Sequence, residues 1–165
     1  IEKDHPGLKE LIANMYETMY ASHGVGLAAP QIGLSLRLFV TDGSPFEEDE
    51  VKDFKQVFIN PQIVEEAGDP WKFNEGCLSI PHVREDVSRK ETVLIEYYDE
   101  DWNFRRELFS GLAARIIQHE YDHIEGVLFT DRISPLRRKL LNKRLSDISS
   151  GNVKVDYKMR FPSQR

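Results

Sequence analysis

The stretch SGLAARIIQHEYDHIEG, residues 110–126, decides how the rest of the chain is read. Ser110 suits a helix N-cap and Gly126 the C′ position, so the spacing predicts a helix running from Ser110 to about Glu125. Its inward face includes Leu112, Ile116, His119 and His123. His119 and His123 are four residues apart, so they project from one face, one turn apart, and can share a single metal ion. Glu120 is one position on, beside such an ion but out of line with the two histidines. That is where a general base for water belongs. Taken alone the pattern is only moderately specific, since a histidine on an apolar helix face is often just a satisfied core residue.

A third soft ligand is available in Cys77, the only cysteine. A lone cysteine excludes an internal disulfide and leaves three fates: inert and buried, reactive, or metal-bound. Cys77 lies in EGCLSIP, where a turn or strand end can aim it. Two imidazoles and one thiolate leave a fourth position open, the pattern of a catalytic rather than a structural site. Amide hydrolysis also needs donors for the negative charge that develops on the carbonyl oxygen. Gln31 and the Leu78 N–H are candidates, although Gln31 equally reads as an exposed loop residue. Asp122 and Glu75 are candidate supports for the histidines. Asp122 also reads as a solvated helix residue, and Glu75 as the partner of a cation such as Arg115.

Working outward, Leu8, Leu11, Ile12, Met15 and Met19 predict a first helix, with Pro6 in its first turn. GVGLAAPQIG, residues 24–33, is apolar but rich in Gly and Pro, so it reads as a fixed loop. Strands are expected at Leu36 to Thr41, Gln56 to Asn60, Ile63-Val64 and Thr92 to Tyr98. A turn at Asp99 to Asp101 leads back through Phe104 to Phe109. The acidic run in 43–53 reads as a solvated loop with no assigned role. A third helix begins at Ser134-Pro135, carries Leu136, Leu140, Leu141, Leu145 and Ile148, and ends at Gly151. Val153, Val155, Tyr157, Met159 and Phe161 then alternate with polar residues, predicting a final strand with one apolar face. This order favours an α+β fold, with antiparallel or mixed sheets around a central metal-binding helix.

The chain has 165 residues, 40% hydrophobic and 30% charged, the size and balance of one soluble domain over 1–165. No segment approaches the roughly 20 continuous apolar residues of a membrane helix. The net charge of −6 makes general nucleic-acid binding, including DNA, a poor fit. A single cysteine suits a reducing compartment such as cytoplasm.

Three segments, GVGLAAPQ at 24–31, EGCLS at 75–79 and QHEYDH at 118–123, together resemble the signature motifs of the peptide deformylases, particularly the bacterial ones. The resemblance covers about Glu10 to Leu136. It implies hydrolysis of the N-formyl group from the formyl-methionine that begins nascent chains, with release of formate. It implies Cys77, His119 and His123 as metal ligands, Glu120 as acid/base, and Gln31 and the Leu78 amide at the oxyanion. It also implies that the Gly26 backbone holds an extended substrate, that Arg84 lies near the peptide, and that Val25 and Ile116 lie at the methionine pocket. The implied ion is Fe²⁺, with Zn²⁺, Ni²⁺ or Co²⁺ as alternatives. Family members usually carry a strand and a Pro-containing turn ahead of the first helix, which here is missing or precedes Ile1.

Two rivals remain open at this point. A metallopeptidase would share the helix motif but cut a peptide bond. A non-catalytic metal module would need a fourth protein ligand, for which His82 is the tempting choice. Separately, Arg132, Arg137, Arg138, Lys139, Lys143 and Arg144 make a basic cluster on an acidic chain. The helix at 135–148 can therefore dock on the ribosome or simply present a solvated face.

Overall fold

A computed structural model describes residues 1–162. Among these residues three α-helices, α1 (Leu8–Ala21), α2 (Gly111–Ile124) and α3 (Pro135–Ser149), accompany five strands. These are β1 (Gly26–Ala28), β2 (Leu38–Asp42), β3 (Lys55–Cys77), β4 (Ile80–Tyr98) and β5 (Phe104–Ser110). The strands form one sheet in the order β1-β2-β3-β4-β5, and every neighbouring pair is antiparallel. The fold is α+β, as expected.

β3 and β4 are far longer than their local patterns suggest. The register between them shifts at Ile59/Gln62, Ile63/Glu65, Ala67/Pro70 and Gly76/Cys77. Such bulges bend and twist a long hairpin. The shift at Ala67/Pro70 also accommodates Gly68 and Pro70 inside β3. Cys77 is the last residue of β3, which fixes where its side chain points.

α2 is central. It packs against β1, β2, β4 and β5, and nine of its 14 residues are buried, Arg115, Gln118, Glu120, Asp122 and His123 among them. Its apolar side joins a cluster in which Phe39, Phe58 and Tyr97 meet Ala114 and Ile117. The Phe39 and Phe58 rings stack at 4.6 Å. Burying each such large side chain contributes about 1.5–3 kcal/mol, enough to pin the helix against the sheet. Gly126, at φ +75°, ends α2, and the Val127 N–H donates back to the Asp122 carbonyl at 2.8 Å.

Several sequence expectations are corrected. The segment 24–33 is not simply a loop: Gly26–Ala28 pairs with β2, and Ala29–Ile32 forms one 3-10 turn. A three-residue strand buried on every position has no period to read. The first helix is capped by Gly7, leaving Pro6 outside it. Ser110 caps α2 by position only; the Leu112 N–H instead donates to Glu50 at 3.4 Å, from the acidic segment 43–53. The final strand is absent among the described residues. Residues 153–161 do alternate between half-buried and exposed, but the backbone joins no ladder. Alternation reports an extended chain lying on a surface, and a strand additionally needs a free neighbouring edge. In α3, Leu136 and Leu140 face solvent while Leu141, Leu145 and Ile148 pack inward.

Candidate active site

α2 and the β3–β4 turn bring Cys77, His119 and His123 together. One ligand atom from each lies within 4.8 Å of the others. His123 Nε2 is 3.3 Å from the Cys77 sulfur. The His119 Nδ1–H donates to Glu75 Oε1 at 2.8 Å, which leaves Nε2 to face the thiolate.

The electrostatics favour a cation here. Burial pushes the Cys77 thiol up, but hydrogen bonds and charge from His119 and His123 outweigh it and hold the thiol down at about 5. Burial disfavours charge on His119 as well; its bonds to Cys77 and Glu75 reverse this and raise it to about 10. His123 is raised against burial in the same way, chiefly by its bond to Cys77. A metal ion held by these three groups would displace the ring protons that face the Cys77 sulfur and leave the His119 Nδ1–H on Glu75.

Glu75 anchors the scaffold. Its carboxylate accepts from Arg89 Nε at 2.7 Å and NH2 at 2.9 Å, and from Arg115 NH1 at 2.8 Å. Burial favours its protonated form, but the bonds from His119 and Arg89 prevail and hold it at about 2. Arg89 reaches on to Asp122 at 2.8 Å, and Asp122 also accepts from Arg132. The Asp122 suggested as a histidine support is therefore a buried ion-pair partner, one turn removed from that task. Glu75 takes both parts the sequence left open for it.

Glu120 differs. It is buried, and its Oε2 has no hydrogen-bond partner. Burial, the largest influence, raises its pKa. It fits because residue 26 is glycine: a Cβ there would lie 2.6 Å from the Glu120 Cδ.

Around these groups is a cleft of about 460 Å³. Val25, Gly26, Gln31, Cys77, Leu78, Arg84, Ile116, His119 and Glu120 all line it. Gln31 Oε1 accepts from the Ala28 N–H at 2.8 Å, which turns its Nε2 toward Ser79 Oγ at 3.0 Å and the Cys77 sulfur at 3.8 Å. Arg84 is held over Gly76 by Asn74, through Nε at 2.8 Å and NH2 at 2.7 Å.

With that geometry in hand, the likeness to known proteins is direct. The family model described as polypeptide deformylase matches residues 1–139. The chain belongs to the polypeptide deformylase family. The peptide deformylase of Christiangramia forsetii is 56% identical, covering 100% of this chain and 89% of that one. The Flavobacterium johnsoniae peptide deformylase is 57% identical with the same coverage. A crystal structure of a peptide deformylase from Legionella pneumophila superposes with a TM-score of 0.78 at 39% identity, covering 92% of this chain and 86% of that one. This deformylase-family chain is an enzyme, and its relatives are metalloenzymes.

Sequence reading missed part of the cleft. Phe46, Phe73, Pro81, Val83 and Tyr157 also line it. Arg89, buried on an alternating strand, gave no signal of its role; an arginine there reads as surface. His82, the possible fourth ligand of the rival reading, points instead at the Lys154 carbonyl, 2.5 Å from its Nε2.

Proposed function

We propose that this enzyme hydrolyses the N-formyl group from the N-terminal formyl-methionine of newly made chains, releasing formate, with a divalent ion held by Cys77, His119 and His123. The observation that carries the reading is the bare Glu120 carboxyl. A buried oxygen with no partner is costly, so one aimed into a cleft beside a thiolate and two imidazoles argues for a reagent. The donor set fits the ion: one thiolate and two ring nitrogens, one of them on a histidine oriented by Glu75, with room for an open position. Soft and borderline ions suit it, with Fe²⁺ the native choice by family likeness and Zn²⁺, Ni²⁺ or Co²⁺ as substitutes. When bound, the ion polarises the formyl carbonyl and acidifies water.

The chain's own residues supply the rest. β1 is an edge strand, so the Val25–Gly26 backbone can pair with an extended peptide. Ile116 and Val25 receive the methionine side chain, and Arg84 lies near the following residues. Glu120 accepts the proton of the attacking water as the new C–O bond forms. Gln31 Nε2 and the Leu78 N–H take the charge growing on the formyl oxygen. Glu120 then gives the proton to the departing nitrogen as the C–N bond breaks, leaving formate and a free amine.

The test is product analysis on a formyl-methionyl peptide, with protein reconstituted anaerobically with each ion in turn. Formate with an otherwise intact peptide is expected. Two shorter peptides would mean a peptidase, and sink the reading.

Among the described residues no helix is long and apolar enough to cross a membrane. The bacterial cytoplasm is the proposed location, where nascent formylated chains are found. Ribosome docking through 135–148 rests on a reduced surface. Arg132, Arg137 and Arg138 are committed to Asp122, Glu85 and Asp131, which leaves Lys139, Lys143 and Arg144 exposed. Those three are the ones to reverse in charge before a ribosome co-sedimentation assay.

A further inference from the structure

The segment after α3 returns to the active site although it forms no strand. Val153 packs in the cluster with Ile80, Val83 and Phe129. The Lys154 carbonyl lies against His82. Three residues further on, the Tyr157 ring lines the cleft, and its hydroxyl donates to the Leu78 carbonyl at 2.8 Å.

That carbonyl is in a sensitive place. Cys77 and Ile80 are paired, so Leu78 and Ser79 form a two-residue turn between β3 and β4. Neither residue has positive φ, so the turn is of the unprimed kind. Primed turns match the twist of a hairpin better, so this one gains less from the strands it joins. The two common unprimed forms differ by a flip of the peptide between the central residues. That peptide is Leu78–Ser79. Its oxygen is held by Tyr157, and the following Ser79 Oγ accepts from Gln31 Nε2.

We propose that Tyr157 is a positioning residue: its hydroxyl clamps the Leu78–Ser79 peptide, and through it the orientation of the Leu78 amide and Gln31. The segment 153–157 is thus a strap that completes the active-site turn from outside the sheet. The proposal deepens the deformylase reading and rests on it for its kinetic consequence, though the clamp itself is a statement about the turn.

Tyr157→Phe removes only the hydroxyl and keeps the ring in the cleft. Its expected effect on formate release is a kcat lower by about 3- to 10-fold, with KM within about 2-fold, the size of one lost hydrogen bond. Hydrogen exchange at the Leu78 and Ser79 amides is expected to quicken by a similar factor. Leu145→Ala serves as the control: it loosens the same end of the molecule, loses at least as much stability, and keeps kcat within about 2-fold. A Tyr157→Phe kcat no lower than that of the control, or amide exchange unchanged at both turn residues, overturns the clamp. A wild-type protein that releases no formate refutes the substrate reading instead, and the exchange measurement still decides the clamp.

Discussion

Glu75 and Glu120 are both buried and both stand close to the His119 ring, yet their surroundings are opposite. Glu75 accepts from two arginines and a histidine, and its pKa is held down at about 2. Glu120 has an oxygen with no partner, and burial pushes its pKa up. Desolvation penalises both carboxylates; the partners decide what each is for. A saturated carboxylate is fixed in one protonation state and can only hold something in place. A bare one near a reacting centre can change state, which is what proton transfer requires.

The largest expected effect breaks this comparison on the Glu120 side. Glu120→Gln keeps the shape and removes the titration. We expect kcat to fall by about 10²–10⁴, the usual range for a lost general acid–base group. Stability should hold or rise, because the amide carries no charge for burial to penalise. Urea unfolding beside turnover on a formyl-methionyl peptide reads both. Retained activity would remove Glu120 from the chemistry.

The next effect is on the Glu75 side and appears in stability against pH. Its folded pKa of about 2 lies below the ordinary 4.5, so its contribution is fully present above pH 4.5 and is lost as pH falls toward 2. The shift corresponds to on the order of 3 kcal/mol. In the metal-free protein, Glu75→Gln should therefore be less stable than wild type near neutrality, with the gap closing as pH falls below 4.5. Glu120, raised instead, contributes with the opposite sign: its advantage is present in acid and is lost as pH rises. A gap that stays constant from pH 7 to 3 would show that Glu75 is not held ionised by its partners.

The same contrast explains how much of the molecule was legible beforehand. His119, Glu120 and His123 are neighbours on one helix, and helical periodicity exposes them directly. Cys77 and Gln31 became readable through the short motifs around them. Arg89, Asp122 and Tyr157 were not, because their roles depend on pairings 14 to 79 residues apart. A strand position that alternates polar and apolar looks the same whether its polar side meets water or a buried carboxylate. The segment 153–161 failed for a related reason. Period two reports that one side of the chain lies on something, and the partner edge that would make it a strand is a property of the rest of the fold.

A third carboxylate, which meets the start of α2 from the acidic segment 43–53, calibrates the pair at the small end. Glu50, exposed, lies at the start of the helix and accepts from the Leu112 N–H at a long 3.4 Å. A negative charge there also meets the positive end of the helix dipole. Both contributions are weakened by water. Glu50→Ala should cost about 0.5–1 kcal/mol, and less at high salt, with kcat unchanged within about 2-fold. Denaturant midpoints at two ionic strengths check it. A cost as large as that at Glu75 would mean that position on the helix, rather than burial and pairing, sets what a carboxylate is worth in this protein.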